Sequence, residues 1–249
     1  MRKLFEADLN RIIEKVLPWV LLVVAFVYMA VSIAIEIETS PDRDFFFFSQ
    51  VVGTFPWVLT IAGFSALLGI YADEFKSMSM ITVIGRGISR EKFVLTKFLD
   101  LCLMVFQMEV LTAIYIMILK GAFGTRLTFV ETKYLVLLFV FGYIETVSYV
   151  TIAAIFYFLS ENAAIGMFAY LTFDVVIPVT LQLVLMLSNV SKYHPDRYYI
   201  SGMIDIAFSD FIMGDIPGGM VFTFLALGIY VLCALLITTL IFRKKELNF

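Results

Sequence analysis

The sequence predicts an all-α membrane protein with six transmembrane helices, and three observations predict it. Hydrophobic residues make up 61% of the 249-residue chain, whereas soluble domains are about half apolar. The mean hydropathy is +0.97. Apolar stretches also recur at the length of roughly 20 residues that one helical span requires, which leaves little chain for a separate soluble domain.

Residues 1–17 predict an amphipathic helix. Phe5, Leu9, Ile12, Ile13 and Val16 recur at helical spacing, with Arg2, Lys3, Glu6, Arg11, Glu14 and Lys15 opposite them. Such a helix lies in the membrane interface rather than crossing it. Its polar start does not fit a signal peptide, so the first span is expected to stay in the mature protein. Pro18 suits the first turn of the next helix.

The spans are expected at about 18–35, 51–71, 94–119, 134–159, 163–187 and 220–242, all within a single transmembrane domain covering 1–249. Phe45 to Phe48 follow an acidic loop and are expected at headgroup level, where aromatic rings are favoured. Residues 188–219 form a long loop in which Ile200, Met203, Ile204, Ala207 and Phe211 make one helical face. Arg197, Ser201, Asp205 and Ser209 make the other. This predicts an external amphipathic or re-entrant helix before the last span, ended by the Gly214-to-Gly219 run. Pro178 predicts a kink in the fifth span.

Lys and Arg accumulate on the cytoplasmic side of membranes. Placing both termini inside puts twelve of the eighteen basic residues in cytoplasmic segments. That is the predicted orientation.

Several chemistries are disfavoured. There is no Gly-x-x-x-x-Gly-Lys-Ser/Thr phosphate loop. A single histidine, His194 beside Pro195, and two scattered cysteines, Cys102 and Cys233, make no His/Cys metal set. The two thiols, both in apolar runs, are expected to be free. Neither a nucleic-acid partner nor a cofactor on this chain is expected.

The most informative stretch is the polar insert of residues 72–93, longer than a turn between adjacent spans needs. Phe75, Met78, Ile81, Val83, Ile84 and Ile88 alternate with charges, which predicts a short helix along the membrane, interrupted at Gly85 and Gly87. Ser89 is the expected N-cap of the third span, with Glu91 and Lys92 in its first turn. Glu74-Phe75-Lys76, then Arg86-Gly87-Ile88-Ser89-Arg90, then Lys97, resemble the loop after the second span of ABC-2 type permeases. Met78-Ser79 stands where that family has Gly-Thr, and Gly87 where it has proline.

The resemblance implies that the insert is a coupling helix seated on a separate ABC ATPase subunit, with Glu74, Phe75, Lys76, Met78, Arg86, Ser89 and Arg90 forming the contact. It implies two ATPase copies holding ATP and Mg, and a second permease subunit, in the bacterial cytoplasmic membrane. Permeases of this kind export or give immunity to membrane-active peptides such as lantibiotics and phenol-soluble modulins, and others handle drugs or sodium. An amphipathic peptide is the expected substrate.

Glu109, Glu145 and Asp174 fall within spans, and Asp100 near the cytoplasmic end of one. An ionisable side chain there is costly and usually faces a cavity or a partner. No base lies at comparable depth, so Gln107, Thr112, Thr146, Ser148, Thr172 and Gln182 are the expected hydrogen-bond partners. A translocation pathway, a subunit interface and interhelical hydrogen bonding all remain open for these acids. An intramembrane enzyme, or a non-transporting anchor or sensor subunit, is the alternative to an exporter.

Overall fold

In the computed structural model, residues 15–39, 42–71, 79–85, 87–187, 198–213 and 218–245 are described. They are all-helical, with no strand among them. The helices are α1 (Val16–Thr39), α2 (Arg43–Tyr71), α3 (Ser79–Gly85), α4 (Arg90–Phe123) and α5 (Phe129–Ser160). Then come α6 (163–187), α7 (Ile200–Met213) and α8 (Gly218–Lys244). Six of them, α1, α2, α4, α5, α6 and α8, are long and apolar enough to cross a membrane.

Most helices outrun the expected spans. α2 starts at Arg43 rather than near residue 51, α4 at Arg90 rather than near 94, and α5 at Phe129 rather than near 134. Hydropathy marks where lipid contact stops, whereas intrahelical bonding continues until a cap ends it. At about 1.5 Å per residue, the 32 residues of α5 exceed the roughly 30 Å hydrocarbon core. Phe45 to Phe48 consequently belong to the first turns of α2. Phe45 points outward, while Phe47 is fully buried.

The caps follow local chemistry. Ser89 caps α4 as expected, its side chain accepting from the Lys92 amide at 3.4 Å. Thr128 makes a reciprocal box with Glu131: the Thr128 amide donates to Oε2 at 2.7 Å and the Glu131 amide donates to Oγ1 at 3.3 Å. Thr128→Ala is therefore expected to cost about 1 kcal/mol in unfolding measured in detergent micelles. Ser89→Ala, losing one long bond, should cost less than half as much. The reverse ranking would contradict these cap geometries.

Lys15, at the head of α1, donates to the Gly69 carbonyl at the end of α2 (2.5 Å), and Lys245 lies beside Glu161 at the end of α5 (2.9 Å). The first and last described residues thus share one end of the bundle. The expected interfacial helix of residues 1–17 lies, up to residue 14, outside the described residues.

Two apolar cores stack along the bundle. At the far end from the termini, α1, α2, α4 and the start of α5 bury Met29, Ile33, Phe47, Phe55 and Ile116. The larger core joins α2, α4, α5, α7 and α8 and includes Met104, Val105, Tyr149 and Phe242. At the terminal end it closes on an aromatic group: Tyr71 against Tyr157 at 4.6 Å, and Phe242 against Phe158 and Phe93 at 5.2 and 5.6 Å. The Tyr157 hydroxyl donates to the Tyr71 carbonyl, tying α5 to α2.

α7 buries most of the face read from the sequence: Ile200, Met203, Ile204 and Ala207 are buried, Phe211 and Ser201 are half-buried, and Asp205 and Ser209 are exposed. Its start lies deep. The Ser201 amide donates to the Tyr149 hydroxyl at 3.1 Å, the Tyr199 hydroxyl donates to the Phe173 carbonyl, and the Tyr230 hydroxyl donates to the Tyr198 carbonyl at 3.4 Å. All three partners sit near the middle of their helices. The other end of α7 meets the beginning of α5, with Lys133 over the Phe211 ring at 5.0 Å and Phe208 against Tyr134 at 4.7 Å. α7 therefore runs from mid-bundle outward, antiparallel to α5.

Candidate functional site

α2, α5, α6 and α7 leave a cavity of about 320 Å³ between them, and its wall contains Glu145, Asp174 and Asp205. The three carboxylates come from three different helices. Asp205 also lines a neighbouring cavity of about 280 Å³ between α6 and α7, with Gln182 and Ser201. Among the described residues, no lysine, arginine or histidine contributes to either wall.

Each acid has a different setting. Asp174 accepts a hydrogen bond from the Thr60 hydroxyl of α2 at 2.6 Å, and the fully buried Tyr170 lies one turn earlier on α6. Glu145 is half-buried and lines the cavity. No hydrogen bond or ion pair reaches it from the described residues. Asp205 sits on the exposed face of α7, where partial burial raises its carboxyl above the ordinary aspartate value.

Two prolines lie near these acids, Pro56 on the wall of the larger cavity and Pro178 on that of the smaller. Pro178 cannot donate to the carbonyl of Asp174, and its ring crowds that carbonyl. The chain responds with a π turn at Thr172–Val176, where the Ile177 amide reaches back to the Thr172 carbonyl. The kink expected at Pro178 is thus accommodated by a π turn that carries Asp174, the type of irregularity frequent at functional sites. Pro56, inside α2, likewise leaves the Val52 carbonyl without its α-helical donor, and both residues line the cavity.

The other expected site residues are distributed differently. Glu109 is buried on α4, outside the cavity wall, and its Oε1 has no hydrogen-bond partner among the described residues. Asp100 does have a base at its depth: buried Lys97, one turn earlier, lies 4.0 Å away. Most of the expected hydroxyl partners are not available to the acids. Thr112, Ser148 and Thr172 each donate to the carbonyl four residues back, at 2.7–2.8 Å, because a helical Thr or Ser finds that acceptor within its own turn. Thr146 and Gln182 do reach the two cavity walls. Thr60, which sequence reasoning missed, is 114 residues from its partner Asp174, and no local signal marks it.

In the insert, Glu74, Phe75, Lys76, Met78 and Arg86 lie outside the described residues. α3 is a seven-residue helix with Met80 buried, and Gly87 holds φ +87°, a left-handed turn that glycine adopts without strain. Arg90 faces the chain's own C-terminal segment. Its Nη1 donates to the carbonyls of Phe242, Arg243 and Lys245 at 2.9, 2.8 and 2.6 Å, and its guanidinium lies over the Phe242 ring at 5.8 Å. Lys245 in turn donates to the carbonyls of Phe158 and Leu159 at 2.8 and 3.1 Å. The end of the insert is thus fastened to α8, and through α8 to α5.

Among the described residues, no group of three or more His, Cys, Asp or Glu side chains is placed to hold a metal ion. No protein-family model and no curated protein matches the chain.

Proposed function

We propose that the chain is the membrane-spanning subunit of an ATP-driven ABC exporter in the bacterial cytoplasmic membrane, moving amphipathic peptides with a separate ATPase. Two ATPase copies and a second permease subunit complete the assembly, and both termini face the cytoplasm. The insert of residues 72–93 is its coupling element, with Glu74, Phe75, Lys76, Met78, Arg86 and Ser89 turned to the ATPase. ATP and Mg belong to that partner, and no reaction is assigned to this chain itself.

The observation that best supports this reading is the fastening of the insert through Arg90. A push on α3 is transmitted to α8 by three charge-assisted hydrogen bonds and onward to α5 by Lys245. A solvated connector has no need of such an attachment. In this reading Arg90 transmits force within the chain and does not itself dock the partner.

The test is co-purification with an ATPase encoded in a neighbouring reading frame, followed by ATP turnover in nanodiscs. Glu74→Ala together with Lys76→Ala is expected to weaken complex formation and lower turnover at least fivefold. Unchanged complex and unchanged turnover would defeat the coupling assignment. Complex formation without peptide flux in vesicles would favour a non-transporting anchor or sensor subunit.

A further inference from the structure

We propose that the cavity among α2, α5, α6 and α7 binds an organic cation, an amine or guanidinium head on an apolar body. The inference deepens the export reading by naming the charge of the cargo, but binding at this cavity can be measured without any ATPase.

The wall is rich in acceptors. Three carboxylates border the space, none from the same helix, and no base lines it among the described residues. Two lining residues, Val52 and Asp174, also have backbone carbonyls that proline deprives of their usual helical donors. Among the described residues the Thr60 hydroxyl donates to Asp174, and the Tyr170 hydroxyl lies beside the same carboxylate. Glu145 is left half-buried on the cavity wall, with no hydrogen bond or ion pair from the described residues. An ionisable group at such depth is expensive without a partner, and a cationic guest supplies one.

The remaining wall says what kind of cation fits. Phe55, Phe141 and Phe208 contribute aromatic surface, with Leu59 and Leu138 beside them. Aromatic faces attract ammonium and guanidinium groups, and the aliphatic surface suits an attached chain. The acids are not grouped closely enough to act as a metal's ligand set. A volume of about 320 Å³ accommodates a charged head with several carbons, at the lower end of the size range typical of small-molecule sites. Asp205 lines this cavity and the neighbouring one.

The experiment uses the purified full chain in nanodiscs with radiolabelled octylammonium. Saturable binding is expected, displaced by octylguanidinium but not by octanol. Glu145→Gln should weaken it at least tenfold, whereas Glu109→Gln, which alters a buried acid outside the cavity, should leave it unchanged. A wild-type measurement removes any dependence on variant folding: octylammonium should protect Glu145 from dicyclohexylcarbodiimide, as mapped by mass spectrometry. Equal displacement by octanol, displacement by sodium chloride at the same concentration, or Glu145 labelling unaffected by octylammonium would each overturn the proposal. Failure of ATPase coupling would leave it standing, so the two readings fail separately.

Discussion

Replacing Arg90 by alanine is expected to free the end of α8 from the head of α4 and to cost about 2–3 kcal/mol. The figure reflects hydrogen bonds from a charged donor, each worth about 1.5–3 kcal/mol, discounted because the site is only half-buried. It also includes loss of a cation at a helix C-terminus, worth a few tenths to about 1 kcal/mol. The neighbouring Arg243–Glu91 pair, 3.7 Å apart and largely exposed, cannot compensate, since such pairs contribute little. Arg90→Lys should recover only part of the loss, because one ammonium lacks the planar fork of a guanidinium. Unfolding in micelles measures the cost, and hydrogen exchange of the 240–245 amides should rise in step. Under the proposed function, Arg90→Ala should keep the ATPase complex while ATP turnover ceases to drive peptide flux. A variant that melts like wild type, with unchanged exchange, would show that the three carbonyl bonds contribute nothing.

The second large effect lies at Gly63, where α2 passes α6. A Cβ there would run into the Tyr170 phenol and come within 3.0 Å of the Thr146 methyl. Tyr170 is fully buried, so it has nowhere to swing. Overpacking costs about 1–3 kcal/mol, while alanine regains up to about 1 kcal/mol of helix propensity. Gly63→Ala should therefore be destabilising on balance, and Gly63→Val should cost about 2–4 kcal/mol. Because Thr146 belongs to the cavity wall, the same variants should reduce octylammonium binding. Gly53, on the same helix, meets nothing within 4 Å. Gly53→Ala should be neutral or stabilising by up to about 1 kcal/mol. Thermal unfolding of the two alanine variants in the same micelles checks the opposite signs. Destabilisation at both positions would mean that backbone effects, not the Tyr170 contact, set the outcome.

These two sites show how unevenly the molecule was legible. The spans, the Ser89 cap and the buried face of α7 follow from hydrophobic period and capping chemistry, which are local properties of the chain. Helix ends were less legible, as at Arg43 and Phe129, because hydropathy reports lipid contact and not hydrogen bonding. Glu145 and Asp174 stood out as acids within spans, whereas Asp205 looked like one polar residue on an amphipathic face. Its place beside the other two depends on α7 starting near the middle of the bundle. Arg90 was legible as a charge in a resembling motif, and its direction was not.

By itself, the sequence determined that six helices are long and apolar enough to cross a bilayer, and where its basic residues lie. Burial and periodicity act over a few turns, so a linear pattern carries them. The tertiary structure alone decided that Thr60 meets Asp174, that three acids border one cavity, and that Arg90 grips the end of α8. Those pairings join residues separated by up to about 150 positions. They arise from how helices cross and where prolines bend them, and no local periodicity encodes that geometry.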